Sequence, residues 1–474
     1  MHIKIFILLS FLFLSRCQIR EIKVIPDKTI IYLNNKKVNS KDIKNRLKTG
    51  DTLLFSKSGY YPIQYTIPKQ KPNKLHIFLK SEKFPLLIKT HPVKCNVFID
   101  DNFIGQTPVH NVKIKYGIHL LRFEKTGYKS LSHTLNIQQN TNIYKKLVKE
   151  TSRHNFKNLL NCGPEPKQII FTPDEKYILT ALLDDRGFEL IDYKMNKIIK
   201  KVNISKKEGK KGFVEIIFNK NGDRFFISQM LTNKVFIFAY PGLNLINTIE
   251  TKGSWPKIMA LNRTENRIAV SHWTSHNITV FELNDQDEFK LLANLKNQGK
   301  SPRGLAFDKH DKYLYAAYFN SGHIIKFNCT TWKPVKTWFT GGCNRHIIID
   351  KNNQYAYISN MYYNCVYKLN LENNKITSKI MVGRNPNTIA MNQDGKYLYV
   401  SCRGENNKQG YLVRSPKNGS IHIIDTDKNK VTEIIEGGNQ PTGLDISSSG
   451  RYFAFSNFKD NTIEVYTINE EGWQ

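Results

Sequence analysis

The chain is 474 residues long, too long for one ordinary hydrophobic core and long enough for two or three domains. Its 40% hydrophobic content, with 12% aromatics, excludes a wholly disordered chain, and plentiful Tyr, Phe, Ile, Val and Thr lean towards strands. The formal charge of +31 attracts polyanions, yet Lys is scattered among Asn and Ile along the whole chain, as AT-rich coding bias would leave a solvated surface; nucleic acid is not an expected partner.

In residues 1–16, Lys4 precedes an apolar run from Ile5 to Leu14. A bilayer takes about 20 residues to span, so this shorter run reads as an export signal. Leu14-Ser15-Arg16-Cys17 follows and resembles a bacterial lipobox, with Arg16 where a small residue is usual. The resemblance implies an acylated Cys17 as mature N-terminus, membrane attachment through that lipid, and a cell-envelope lipoprotein on the periplasmic or the surface side. Simple secretion and an uncleaved anchor are the alternatives. The other cysteines (Cys95, Cys162, Cys329, Cys343, Cys365 and Cys402) form no C-x-x-C pair and read mostly as small buried hydrophobes in strands.

Residues 84–150 alternate strand-forming runs with tight turns: Pro92, Asn96-Val97-Phe98-Ile99-Asp100-Asp101, Ile104-Gly105-Gln106-Thr107-Pro108, Gly117-Ile118-His119 and Lys125-Thr126-Gly127-Tyr128. The pattern resembles the PEGA domain, a small β-sandwich of exported bacterial proteins. Residues 17–83 repeat it with Pro26-Asp27, Ile31-Tyr32-Leu33, Gly50 and Ser58-Gly59-Tyr60-Tyr61, but without the I-G-x-T-P turn. Two PEGA-like modules in a row read as a stalk.

From residue 151 to the C-terminus a longer sentence recurs, as in Ser301 to Asn328, Asn385 to Cys402 and Gln440 to Tyr466. Each copy opens a strand after Pro, makes a polar turn, and starts a second strand on a basic-aromatic pair. Aligned on the residue after the turn, the copies fall at Tyr177, Phe225, Ile268, Tyr313, Tyr355, Tyr397 and Tyr452, spaced by 48, 43, 45, 42, 42 and 55 residues. Such spacing suits one four-stranded blade per copy, hence seven blades. The long last gap marks a protruding loop at Glu405 to Asn418 in blade six. The final copy stops after three strands, and residues 154–162 are placed to supply its missing outer strand and close the ring. With Gly395-Lys396-Tyr397-Leu398-Tyr399-Val400 as the clearest copy, the repeats resemble the YVTN-type β-propellers of bacterial surface-layer and cytochrome-like proteins. The expected fold class is therefore all-β: two PEGA-like sandwiches, then a seven-bladed propeller.

In a propeller, the turns leading into each first strand and those joining the second strand to the third emerge on one face. The first set carries Lys167, Lys257, Arg303, Arg345 and Arg384. The second carries His272, Trp273 and His276, then Tyr318 and Phe319, Tyr362 and Tyr363, Arg403 and Phe458. A ring of cations beside aromatic plates suits an anionic or glycan ligand, because guanidinium groups bind carboxylate or phosphate bidentately and aromatic faces stack. Solvated turn cations and blade-capping aromatics are the plainer alternative. His272, His276 and His346 form a weak candidate metal site without a carboxylate at diagnostic spacing, and no cofactor is expected.

No nucleophile elbow, phosphate-binding loop, H-E-x-x-H or haem motif occurs, so the chain is not expected to be an enzyme. Glu165, Glu215, Asp308, Asp350 and Asp445 lie where they either pair across the channel or form turns. The expected function is binding of an envelope protein or of an anionic glycan or cell-wall polymer. The alternative, implied by likeness to other seven-bladed propellers, is a sugar lactonase with its site in the central channel.

Overall fold

The computed structural model describes residues 19, 21–39, 43, 46–204, 211–284 and 288–469; the leader at 1–16 and Cys17 lie outside the described residues. Among these residues the fold is all strand, with no α-helix and no helix able to cross a membrane. The chain divides into a unit at 1–150 and a second at 151–474.

The first unit holds two modules with the same chain path. In each, the first strand runs parallel to the last: Glu21–Ile25 beside Lys74–Phe78, and Lys83–His91 beside Thr141–Lys146. Between them a four-stranded antiparallel sheet covers the core, ordered Lys36–Val38, Ile30–Leu33, Thr52–Ser56, Ile63–Thr66 in the first module. Its counterpart is Leu131–Ile137, Gly117–Glu124, Asn96–Ile99, Asn102–Gln106. Alternation aims Leu53 and Phe55 inward in one module, and Leu121 and Phe123 in the other, all four fully buried.

The second unit is seven four-stranded antiparallel sheets arranged as blades. Their innermost strands, in blade order, are Pro166–Phe171, Phe213–Phe218, Pro256–Leu261, Pro302–Phe307, Asn344–Ile349, Pro386–Met391 and Pro441–Ile446. Each packs against its neighbour, and the last packs against the first. Buried aliphatic and aromatic side chains fill the space between blades; one such cluster joins Phe188, Phe213, Phe225, Phe236 and Phe238.

On the face opposite the turns that lead into the inner strands, tight turns bind one another. Asp311 accepts hydrogen bonds from the backbone N–H groups of Arg263 (2.7 Å) and Thr264 (3.1 Å). Glu265 receives the N–H of Lys220, and Glu175 that of Ser449, so the blade-one turn is tied to blade seven.

Blade seven draws its outer strand from the start of the unit. His154–Asn161 pairs antiparallel with Thr462–Ile468, which removes an open sheet edge. Leu160, fully buried, packs with Ile463 and Val465. His154 is buried between blades, with Nδ1 3.0 Å from the Glu433 carboxylate and Nε2 2.8 Å from the Tyr399 hydroxyl. The carboxylate only accepts, so Nδ1 carries the proton it donates to Glu433. Six cysteines in the described residues are unpaired; Cys95, Cys329, Cys365 and Cys402 are buried in strands or at their ends.

Truncating Leu160 to Ala leaves a cavity where the ring closes, and should lower the unfolding free energy of the whole chain by about 2–5 kcal/mol. Denaturant titration checks it; a loss below about 0.5 kcal/mol would mean the closing strand does not hold the ring.

Candidate functional site

Each innermost strand bulges between its first residues and the second strand beside it, in all seven blades. In five blades the bulge is held by a serine at the fifth position of the second strand: Ser228, Ser271, Ser359, Ser401 and Ser456. Each serine Oγ accepts an N–H of its own inner strand, from Glu215, Ile258, His346, Thr388 and Gly443 respectively, at 2.9–3.2 Å. The same hydroxyls donate to carbonyls of the next blade's inner strand, at Lys257, Arg303, Asn387, Thr442 and Pro166, over 2.8–3.1 Å. Blade four has Ala317 instead, and there Gly304 lets backbones approach: a Cβ on it would meet the Ile347 nitrogen at 2.8 Å.

The bulge fixes which side chain of each inner strand enters the channel. The second residues, in blade order, are Lys167, Val214, Lys257, Arg303, Arg345, Asn387 and Thr442. A second ring follows from a bond repeated seven times: the N–H just past each second strand donates to the carbonyl just before the inner strand, at 2.8–3.1 Å. The donors are Leu183, Met230, Trp273, Phe319, Met361, Arg403 and Phe458.

Together the rings build an asymmetric mouth. On one side Leu183, Val214, Met230 and Phe458 form a buried apolar cluster. Around it stand five cations, Lys167, Lys257, Arg303, Arg345 and Arg403, each only 4–9% exposed. Lys167 is pushed well down by burial and then by repulsion from Arg345, Arg403, Arg303 and Lys257. Burial likewise lowers Lys257 and Arg345, and takes Arg303 and Arg403 down to about 10.

Their partners within the protein are largely neutral. Arg345 Nε donates to Asn387, Arg403 Nη2 to Gln440 and to the Tyr411 carbonyl (3.3 Å), and Lys257 Nζ meets the Met230 sulfur. Lys167 lies 4.6 Å from the Phe458 ring centroid and 5.4 Å from that of Tyr411. Arg303 Nη1, Arg403 Nε and Asn387 Nδ2 are buried without a hydrogen-bond partner. Buried cations without a carboxylate in salt-bridge contact are costly.

Two carboxyls lie near each other on the inner strands, and one of them faces this charge. Glu215, on the blade-two strand, is held up to about 7 by burial, against the pull of Arg303, Arg345 and Lys167. Asp445 is also raised by burial to about 7, although its Oδ2 accepts the Phe171 N–H at 2.7 Å. The remaining acids do local work. Asp308 caps its turn through the N–H groups of Lys312 and Tyr313, Asp350 does so through Gln354 and Tyr355, and Glu165 pairs with Lys459 at 2.6 Å.

Several sequence expectations need relocating. The expected exposed ring is a buried one, because the bulge turns its cations down the channel. Arg384 is not among them: its side chain is 65% exposed and pairs with Glu405 at 3.3 Å. Counting from Pro386 puts Asn387 at the blade-six position, while Arg403 reaches the channel from the next turn. Tyr318 is fully buried between blades, since it ends a strand; Phe319 one residue on faces the rim, 5.0 Å from Trp273. Trp273 itself sits 5.9 Å from Lys257, and Tyr362 stands 68% exposed against Tyr363.

The three histidines do not assemble. His272 is buried at a strand end and lowered to about 4 by burial, His276 accepts the Ser301 N–H through Nδ1 at 3.1 Å, and His346 is lowered to about 3 by burial beside Arg303 and Arg345. No metal-ligating group of three or more His, Cys, Asp or Glu occurs among the described residues.

The blade-six insertion does not protrude freely as its composition implied. It folds back onto blade seven, with Gln440 Nε2 donating to Val413 O (2.9 Å), Ser415 N to Asn439 Oδ1 (3.0 Å) and Arg414 to Asp460 (2.5 Å). This sets the Tyr411 ring 5.0 Å from Arg403.

These features define a PEGA-bearing protein with a lactonase-type seven-bladed propeller. The PEGA family profile matches residues 84–151, and that of the lactonase seven-bladed β-propeller matches 193–288 and 334–473. The chain is 32% identical over 357 residues to Antigen Lp49 of Leptospira interrogans, covering 73% of this chain and 77% of that protein. It belongs to the same family as that antigen. It is also similar to a 6-phosphogluconolactonase of Buchnera aphidicola, 24% identical over 200 residues, 40% of this chain and 58% of that one. Hydrazine synthase from Kuenenia stuttgartiensis shares the fold, with a TM-score of 0.54 at 15% identity over 68% of this chain and 99% of that chain.

Since Arg303 is buried among like charges, replacing it with Met should raise the unfolding free energy of the unliganded protein, by about 1 kcal/mol or more. Calorimetric melting tests this; a fall in stability would show that Arg303 braces the fold.

Proposed function

We propose that the propeller is an anion-binding module of an exported envelope protein, taking the acidic end of a glycan or cell-wall polymer into its channel. Five buried cations, with two carboxyls held near neutrality close by, carry this reading. The apolar cluster beside them suits the C–H face of a sugar, and Trp273, Phe319 and Tyr362 offer stacking surface at the rim. Kinship with a leptospiral antigen and the PEGA module support placement in the envelope or outside the cell. Attachment through an acylated Cys17 is part of the proposal, and mass spectrometry of the mature N-terminus tests it.

A second reading, lactone hydrolysis, has one observation in its favour. A carboxyl that titrates near 7 is suited to general acid–base work at neutral pH, and Glu215 and Asp445 both do. The relative named as a 6-phosphogluconolactonase adds to it. Lactonase activity that Glu215→Gln abolishes would favour this reading over binding alone.

Titration calorimetry of the whole chain with glucuronate, glucose 6-phosphate and inorganic phosphate should detect binding that Arg345→Met weakens at least tenfold. No heat with any of them would sink the proposal. Affinity for glucuronate, whose own charge is constant there, should also fall from pH 6 to pH 8. Through that window Glu215 and Asp445 gain negative charge as they pass about 7, which opposes an anion. Glu215→Gln should flatten the profile, and affinity rising with pH would contradict the mechanism.

A further inference from the structure

Tyr411 belongs to no repeat, yet it sits at the centre of the cationic mouth. Its ring covers Arg403 and Lys167, at 5.0 and 5.4 Å, and its hydroxyl is within electrostatic reach of Arg303 and Arg345. Its own carbonyl accepts from Arg403 Nη2, so backbone and ring are tied to the same guanidinium. The strand of chain behind it is fastened to blade seven through Val413, Arg414 and Ser415. Asn407 Nδ2 adds a tie across the loop, to the Arg414 carbonyl at 3.0 Å. Tyr411 nevertheless remains 41% exposed. It is an aromatic plate held by a loop fastened to blade seven, set over buried cations and still partly open to solvent.

We infer that Tyr411 is the specificity-determining residue of the channel, selecting anions carried on a sugar ring over bare anions by giving the ring a stacking face beside the cations that hold the acidic group. This rests on the anion-binding reading above. The physical basis is a division of labour. Arg303, Arg345 and Arg403 reward negative charge whatever carries it. The open face of Tyr411 rewards only a ligand with an apolar face to bury on it, and being pre-positioned it loses little freedom on binding. A small inorganic anion seated among the guanidiniums gains nothing from the plate.

The test compares paired probes on the whole chain by titration calorimetry: glucuronate against acetate, and glucose 6-phosphate against inorganic phosphate. With Tyr411→Ala, affinity for glucuronate and glucose 6-phosphate should fall about five- to tenfold while acetate and phosphate change less than twofold. Tyr411→Phe should keep the ring preference, since the plate and not the hydroxyl carries it. Equal losses for ring-borne and bare anions, or no loss at all, would overturn the inference while leaving the anion site standing. Absence of binding to the unaltered protein by all four probes would overturn the anion-binding reading itself. Unchanged melting of Tyr411→Ala excludes a folding defect as the source of a loss, and Tyr411→Phe with full ring preference supplies the same control independently.

Discussion

Most of this propeller's order traces to one small hydrogen-bonding arrangement. A serine on the second strand accepts a hydrogen bond from an N–H in the bulge of its own inner strand and donates its O–H to a carbonyl of the next blade. An inner strand near the axis has backbone groups that neither water nor a regular ladder fully satisfies, and the hydroxyl, which both donates and accepts, meets one of each. The bulge it fastens in five blades, and which is present in all seven, turns the second residue of the strand towards the axis. The same contact also spaces those blades.

Those lining residues work against the fold that carries them. Five cations share a confined volume with neutral partners, and two carboxyls close by are held near neutrality by their own burial. Such charge is paid for by the hydrophobic contacts between blades, which are extensive and aromatic-rich. The apolar quarter of the mouth makes the cost steeper, because it lowers the local polarity from which the cations draw stabilisation. A site of this kind is held in place by distant packing.

The seven-bladed architecture was legible because each blade repeats the same turn and aromatic residue, and a ring of strands leaves few other ways to bury a period of 42 to 55 residues. The site was legible only where repeat and register coincided. Lys167, Lys257 and Arg303 each follow a proline that marks the strand start, so local sequence carried their position. Arg384 stands two residues ahead of its proline, three short of the lining position at Asn387, whereas Tyr318 and Phe319 differ by one residue, enough to exchange core for rim. Glu215 and Asp445 fall within strands, while Asp308 and Asp350 lie just beyond strand ends, a distinction that separates channel acids from turn formers once the boundaries are known. Tyr411 had no signal at all, since an insertion has no register to borrow.

The borrowed strand His154–Asn161 has a mechanical meaning as well. It leads the chain into the propeller and is pinned antiparallel to Thr462–Ile468 over its whole length. A pull applied at residue 151 along the strand axis loads these ladder bonds together, in shear, whereas a pull across the axis would open them one at a time. Since Leu160 and Phe156 sit on this strand among the packed side chains of the last blade, sliding it also means dragging apolar groups out of a filled core. The point where the chain enters the ring is thereby gripped against tension along the strand.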